Sequence, residues 1–120
     1  MADEHAILYG QTSCDPERQY TPLVLAQAAV AMDLKPTIAY LGQGLRILMA
    51  GEADKIQVGS FPNLREMLDQ TMAMGVTVMA CEASKRIWGL DTVEFIDGVT
   101  VIGAATLNDV ALDAGATIWF

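Results

Sequence analysis

Short apolar runs alternate with helical-period segments along the whole chain. HAILYG (5–10), PTIAYL (36–41), VTVMA (76–80), VTVIG (99–103) and TIWF (117–120) are brief, apolar and rich in β-branched or aromatic residues. That pattern reads as buried strands. After the first of them the turn-rich QTSCDPERQ leads into TPLVLAQAAVAMD, a helix over roughly residues 20–33. Thr21 and Pro22 suit its N-cap and N1 positions. GQGLRILMAG (42–51) reads as a glycine-lined turn into a short helix that stops at Gly51, and EADKIQVGSFP (52–62) is polar and irregular. In NLREMLDQTMAM (63–74), Leu64, Met67, Leu68 and Met72 recur at helical spacing, with Asn63 as cap and Gly75 as stop. A short helix over roughly 82–88 and another from Thr106 to Asp113 complete the alternation, with an Asp97-Gly98 turn between them.

Buried strands separated by helices predict a three-layer, doubly wound α/β fold: a mainly parallel sheet of about five strands, with helices on both faces and right-handed crossovers. At 120 residues the chain is expected to form one domain, residues 1–120. Ligands of such sheets bind outside the carboxyl ends of the strands. Attention therefore falls on the loops beginning at Gln11, Gly42, Cys81 and Gly103.

Charge narrows the partners. Seven basic against 15 acidic residues give a net charge of -8, which repels nucleic acids and anionic membrane surfaces at long range. The start, MADEHAILYG, lacks the basic and long apolar regions of a secretory signal, and no uncharged stretch reaches the ~18 residues of a membrane span. The chain reads as cytoplasmic, with no nucleic-acid or membrane partner. Hydrophobic residues make up 52% of it, a surplus that hints at subunit interfaces. Two cysteines, no C-x-x-C and one histidine point to free thiols, with no metal and no cofactor expected.

Cys81 is the centre of interest, in VMACEASKRIW (78–88), where an apolar strand gives way to a helix start. Unpaired N–H groups and the helix dipole favour an anion there. Lys85 and Arg86 lean the local field toward a bound anion, and Glu82 opposes them. A small buried hydrophobe at a strand end fits the same position, so placement alone leaves packing and reactivity both open. Cys14 could face the same crevice as a relay thiol, although a solvent-facing turn residue explains it as well. Gly42-Gln43-Gly44 lacks the third glycine of a dinucleotide loop. Gly42 and Gly44 could still let backbone N–H groups approach an anion, or simply make a tight turn. His5 begins the first strand, too far along a parallel sheet to pair with Cys81 within one subunit. Met67, Met72, Met74 and Met79 read as core filling, Trp88 and Trp119 as core or interface anchors, and Asp91, Glu94 and Asp97 as a solvated face.

The stretch VTVMACEASKRIWGL, followed by EFIDGVTVIGAATLNDVALDAGATIWF, resembles the DsrE/DsrF-like family of small sulfur-handling proteins, which includes the TusD-type sulfur carriers. The shared pattern is a strand, a cysteine, a short helix ending in Gly-Leu, an Asp-Gly-Val strand, and a closing helix and strand. The resemblance implies a cysteine, Cys81 here, that carries sulfur as a persulfide or thiosulfonate. It also implies sulfur-donor and sulfur-acceptor proteins as partners, and assembly as a trimer or hexamer. Some family members have a second cysteine near the carrier or a hydrophobic insertion; neither is present here. The expectation is a cytoplasmic sulfur carrier or sulfurtransferase component acting with partner proteins. A non-catalytic anion-binding module and a thiol-based redox sensor are the alternatives.

Overall fold

A computed structural model describes residues 2–120, and five strands in it form one sheet. They are β1 (Asp3–Gln11), β2 (Lys35–Tyr40), β3 (Thr77–Cys81), β4 (Val99–Ile102) and β5 (Ala114–Trp119), in the order β4-β3-β2-β1-β5. Every pairing is parallel. Four α-helices connect them: α1 (Tyr20–Ala31), α2 (Leu64–Ala73), α3 (Glu82–Ile87) and α4 (Ala104–Asp113). The fold is α/β.

Topology decides which face each helix covers. From β1 to β4 the strands step in one direction, so right-handed crossovers place α1 and α2 on one face; β4 to β5 steps back past β1, which places α4 on the other. Two separate cores follow. Tyr9, Ile38, Tyr40, Val78 and Ala80 pack with Leu23, Leu64 and Leu68 on the α1/α2 face. On the α4 face Leu8, Ala39 and Ile102 meet Leu107 in a much smaller cluster. Strand alternation accounts for this division, since residues two apart share a face. Leu8, Leu23, Leu64 and Leu68 are fully buried, each contributing roughly 1.5–3 kcal/mol.

Local chemistry explains most boundaries. Asn63 caps α2 by accepting from the Arg65 N–H at 2.9 Å. At α1 the predicted cap is corrected: the helix starts at Tyr20, with Gln19 as N-cap and no side-chain cap bond. Thr21 and Pro22 lie inside the first turn, where a missing N–H costs no intrahelical bond. Residues 42–48 form a 3-10 helix instead of an α-helix, and a single 3-10 turn (Ala53–Lys55) breaks the irregular segment after it.

The last strand departs most from expectation. β5 begins at Ala114, directly after α4, and all its residues but Ala114 are exposed. Its apolar run reflects an uncovered edge, where a buried strand was predicted. Trp119 lies across Gly10 of β1, so closely that a Cβ on Gly10 would fall 1.9 Å from the indole. Only glycine leaves room for that ring.

Candidate functional site at the carboxyl edge of strands three and four

Cys81 is both the last residue of β3 and the N-cap of α3, with extended backbone angles (φ -77, ψ 120) and no side-chain cap bond. It pairs in register with Ile102, the last residue of β4. Alternation puts it on the face of Met79 and Ile102, the face that α4 covers. It is 7% exposed.

Two helices start side by side at this point. Beyond Cys81 the chain enters α3; beyond Ile102, on the neighbouring strand about 4.8 Å away, it enters α4. The N-cap of α4 is Gly103, which brings no capping side chain, and its first turn holds no acidic residue. Ala104, Ala105 and Thr106 are exposed. Unsatisfied N–H groups of two helix starts thus lie on neighbouring strand ends level with Cys81, an arrangement that favours negative charge at that edge.

The expected basic support lies elsewhere on α3. Arg86 Nη2 donates to Glu82 Oε1 at 2.9 Å, and Lys85 Nζ sits 5.2 Å from the centre of the Phe95 ring. Both belong to the last turn of the helix, where they complement its negative end. Glu82, expected to oppose them, is neutralised by Arg86.

Gly42 and Gly44 shape the adjoining turn. Gly42 has φ +54, a left-handed conformation that glycine adopts without strain, and its N–H donates to Ser84 Oγ at 2.8 Å. That bond ties the turn after β2 to α3. Gly44 lies against β1, where a Cβ would stand 2.3 Å from the Gln11 carbonyl oxygen. A Cβ at Gly42 would reach within 3.8 Å of Trp88 Nε1 and 3.9 Å of the Thr12 carbonyl oxygen. Trp88 therefore leans over the junction of three loops, still 43% exposed. Ser84 carries no periodic signature, and nothing in its sequence neighbourhood marks it as a tie between elements.

Cys14 is exposed, in a loop held from beneath by two buried glutamines. Gln11 Oε1 accepts from the Ser13 N–H at 2.9 Å, and Gln19 Nε2 donates to the carbonyls of Ser13 and Asp15 at 2.8 Å each. The register places Thr12 level with Cys81 but two strands away, about 10 Å, so the loops of Cys14 and Cys81 share an edge without adjoining. His5 lies seven residues below that level, roughly 23 Å at ~3.3 Å per residue, with its ring beside Glu4. At the point where strand order reverses, between β1 and β5, Thr12 N and Oγ1 both donate to the Phe120 carbonyl and close the crevice. Among the described residues, no cluster of three or more His, Cys, Asp or Glu could hold a metal, and no helix is long and apolar enough to cross a membrane.

The chain is thus a parallel α/β domain that carries Cys81 at the carboxyl edge of its sheet, next to two helix starts. The DsrE/DsrF-like family model matches residues 5–120, and the chain belongs to that family. Membership points to a function related to sulfur relay. The chain is 28% identical over 118 residues to an uncharacterized protein of Methanocaldococcus jannaschii, MJ0760, covering 98% of this chain and 43% of that protein. It thus spans less than half the length of that relative. Among solved structures, the ychN protein from E. coli superimposes with a TM-score of 0.77 at 21% identity, over 98% of this chain and all of that one. A protein of unknown function, MTH1491 from Methanobacterium thermoautotrophicum, gives 0.71 at 17% over the same shares. At these identities the likeness concerns the fold.

Proposed function

We propose that this chain carries sulfane sulfur on Cys81 and passes it to a partner thiol. The observation that carries the reading is the place of Cys81: it ends β3 and caps α3, beside the uncapped start of α4. A persulfide is an anion at neutral pH, and the N–H groups of neighbouring helix starts suit it better than a neutral thiol. Arg86 is paired with Glu82 and Lys85 lies over Phe95, so backbone donors are the main electrostatic support in this reading, with the two cations contributing from a distance.

The chemistry balances without a cofactor. The Cys81 thiolate attacks the outer, sulfane sulfur of thiosulfate; a new S–S bond forms, the old one breaks, and sulfite leaves with its electron pair. In the second step an acceptor thiolate attacks the outer sulfur of the Cys81 persulfide, and Cys81 departs as thiolate. Donor and acceptor proteins are the partners, and the chain is a sulfurtransferase component in that sense.

Assembly belongs to the same proposal. Ile118 and Trp119 on β5, Leu112 on α4, Ile87 on α3, Trp88 just after it and Val101 on β4 are all at least 40% exposed. Apolar exposure on that scale marks an interaction surface, and a homo-oligomer, trimer or hexamer, would cover it.

Intact mass after incubation with thiosulfate, tetrathionate or polysulfide tests the carrier role. The expected result, in the native chain and in Cys14→Ser, is a dithiothreitol-labile adduct, a single sulfur atom from thiosulfate, one or more from polysulfide and a thiosulfate group from tetrathionate, and no adduct in Cys81→Ser. An adduct that persists in Cys81→Ser overturns it. Oxygen gained from peroxide without any sulfur gained from these donors would favour the redox-sensor reading.

A further inference from the structure

Away from Cys81 a cleft of about 280 Å³ opens between the first turns of α1 and the 57–61 turn. Val24 and Leu25 of α1 face Val58 and Phe61 across it, with Tyr20 between them. Glu17 and Thr21 supply its polar end.

The cleft is built, not left over from loose packing. Tyr20 Oη donates to the Pro62 carbonyl at 2.8 Å, and its ring meets Phe61 edge to face at 5.6 Å. The Phe61 N–H donates to the Val58 carbonyl at 3.3 Å, and Gln57 Nε2 donates to the Phe61 carbonyl. These bonds close the turn and hold Val58 and Phe61 open to solvent, 37% and 46% exposed, opposite Val24 at 41%. Apolar walls kept apart in this way lose solvation free energy until something apolar enters.

Charge selects what enters. The Glu17 carboxylate has no basic group within 4.0 Å among the described residues, and neither has Asp15 two positions before it. The chain carries -8 overall, and the nearest cation in sequence, Arg18, does not line the cleft. We propose that the cleft receives a partner polypeptide presenting one aromatic or branched apolar side chain next to a Lys or Arg. The apolar group fills the space between Val24 and Phe61, and the cation meets Glu17. Glu17 lies three residues beyond Cys14, in the connection that leaves the carboxyl end of β1. The start of α1 that lines the cleft thus follows the same edge of the sheet that carries Cys81. Resting on the sulfur-carrier reading, the partner is a protein that donates or accepts the sulfur.

Methyl-labelled protein titrated with acetyl-Phe-Arg-amide, acetyl-Phe-Glu-amide and acetyl-Ala-Arg-amide tests this by NMR. The Phe-Arg peptide should shift the methyl signals of Val24, Leu25 and Val58, and bind about fivefold more tightly than Phe-Glu, the range of one partly exposed ion pair. Ala-Arg should leave those signals in place. Glu17→Gln should bring the two Phe peptides within about twofold of each other, and Val24→Lys, at an exposed position, should abolish the shifts. Shifts elsewhere, no shifts, or equal binding of Phe-Arg and Phe-Glu overturn the proposal. Sulfur loading of Cys81 is read separately by mass. Loading without peptide binding removes only the cleft; binding without loading removes the sulfur-carrier reading and the partner's assignment as donor or acceptor.

Discussion

Ser84 Oγ accepts the Gly42 N–H at 2.8 Å and so fixes the start of α3, and with it Cys81, to the turn after β2. Ser84 is 8% exposed. Removing its hydroxyl leaves a partly buried N–H without its partner, which costs about 1–3 kcal/mol. Ser84→Ala should lower stability to urea by that amount and slow sulfur loading of Cys81, measured by quenched-flow mass spectrometry. A variant equal to the native chain in both would mean that the tie does not position the cysteine.

Gly44 is held by the backbone of β1. A Cβ there would stand 2.3 Å from the Gln11 carbonyl oxygen, an atom fixed by its bond from the Leu41 N–H at 3.0 Å. Gly44→Ala should destabilise the fold by about 1–3 kcal/mol or more, because backbone rather than a flexible side chain must move. Thermal unfolding of Gly44→Ala and of Gly103→Ala, where a Cβ meets nothing within 4 Å, gives the comparison. Similar melting temperatures would contradict the steric account.

Tyr40 carries a pH dependence. It is fully buried, and desolvation of the phenolate raises its pKa above the ordinary value of 10.0. The folded state therefore holds the proton more tightly than the unfolded state. Stability from this group is complete below pH 10 and is lost as pH rises beyond it. Urea unfolding at pH 8 and pH 11 should show a smaller alkaline loss in Tyr40→Phe than in the native chain. An equal loss in both would place the alkaline sensitivity elsewhere.

The exposed apolar residues of β5 and α4 bear on assembly. Sedimentation of the native chain should give a trimer or hexamer, and Ile118→Asp combined with Leu112→Asp should shift it to the 12.9 kDa monomer. A monomeric native chain at tens of micromolar would contradict the interface.

Much of this was legible in the chain itself, for identifiable reasons. VTVMA and PTIAYL lie in the middle of the sheet, with Val76, Val78 and Ala80 and with Pro36, Ile38, Ala39 and Tyr40 buried, so their apolar character reports their location directly. NLREMLDQTMAM announces its cap, period and stop, and α2 follows them closely. TIWF carries the same apolar signal but lies on an exposed edge, because apolar character cannot distinguish a core from a surface awaiting another chain. Cys81 ends the strand that its sequence context predicts. What escaped was pairwise: the Arg86–Glu82 pair, Lys85 over Phe95 and the Ser84–Gly42 tie depend on side-chain direction and on loops brought together only by folding.

Sulfur is expected to go to Cys81 because of its surroundings and not because of access. Cys14 is exposed and Cys81 is 7% exposed, so accessibility alone would direct sulfur to Cys14. Trypsin separates them, since Glu66–Lys85 contains Cys81 and the peptide ending at Arg18 contains Cys14. After limited thiosulfate treatment and alkylation, peptide mass spectrometry should find the added sulfur in Glu66–Lys85. Sulfur confined to the peptide ending at Arg18 would contradict the account.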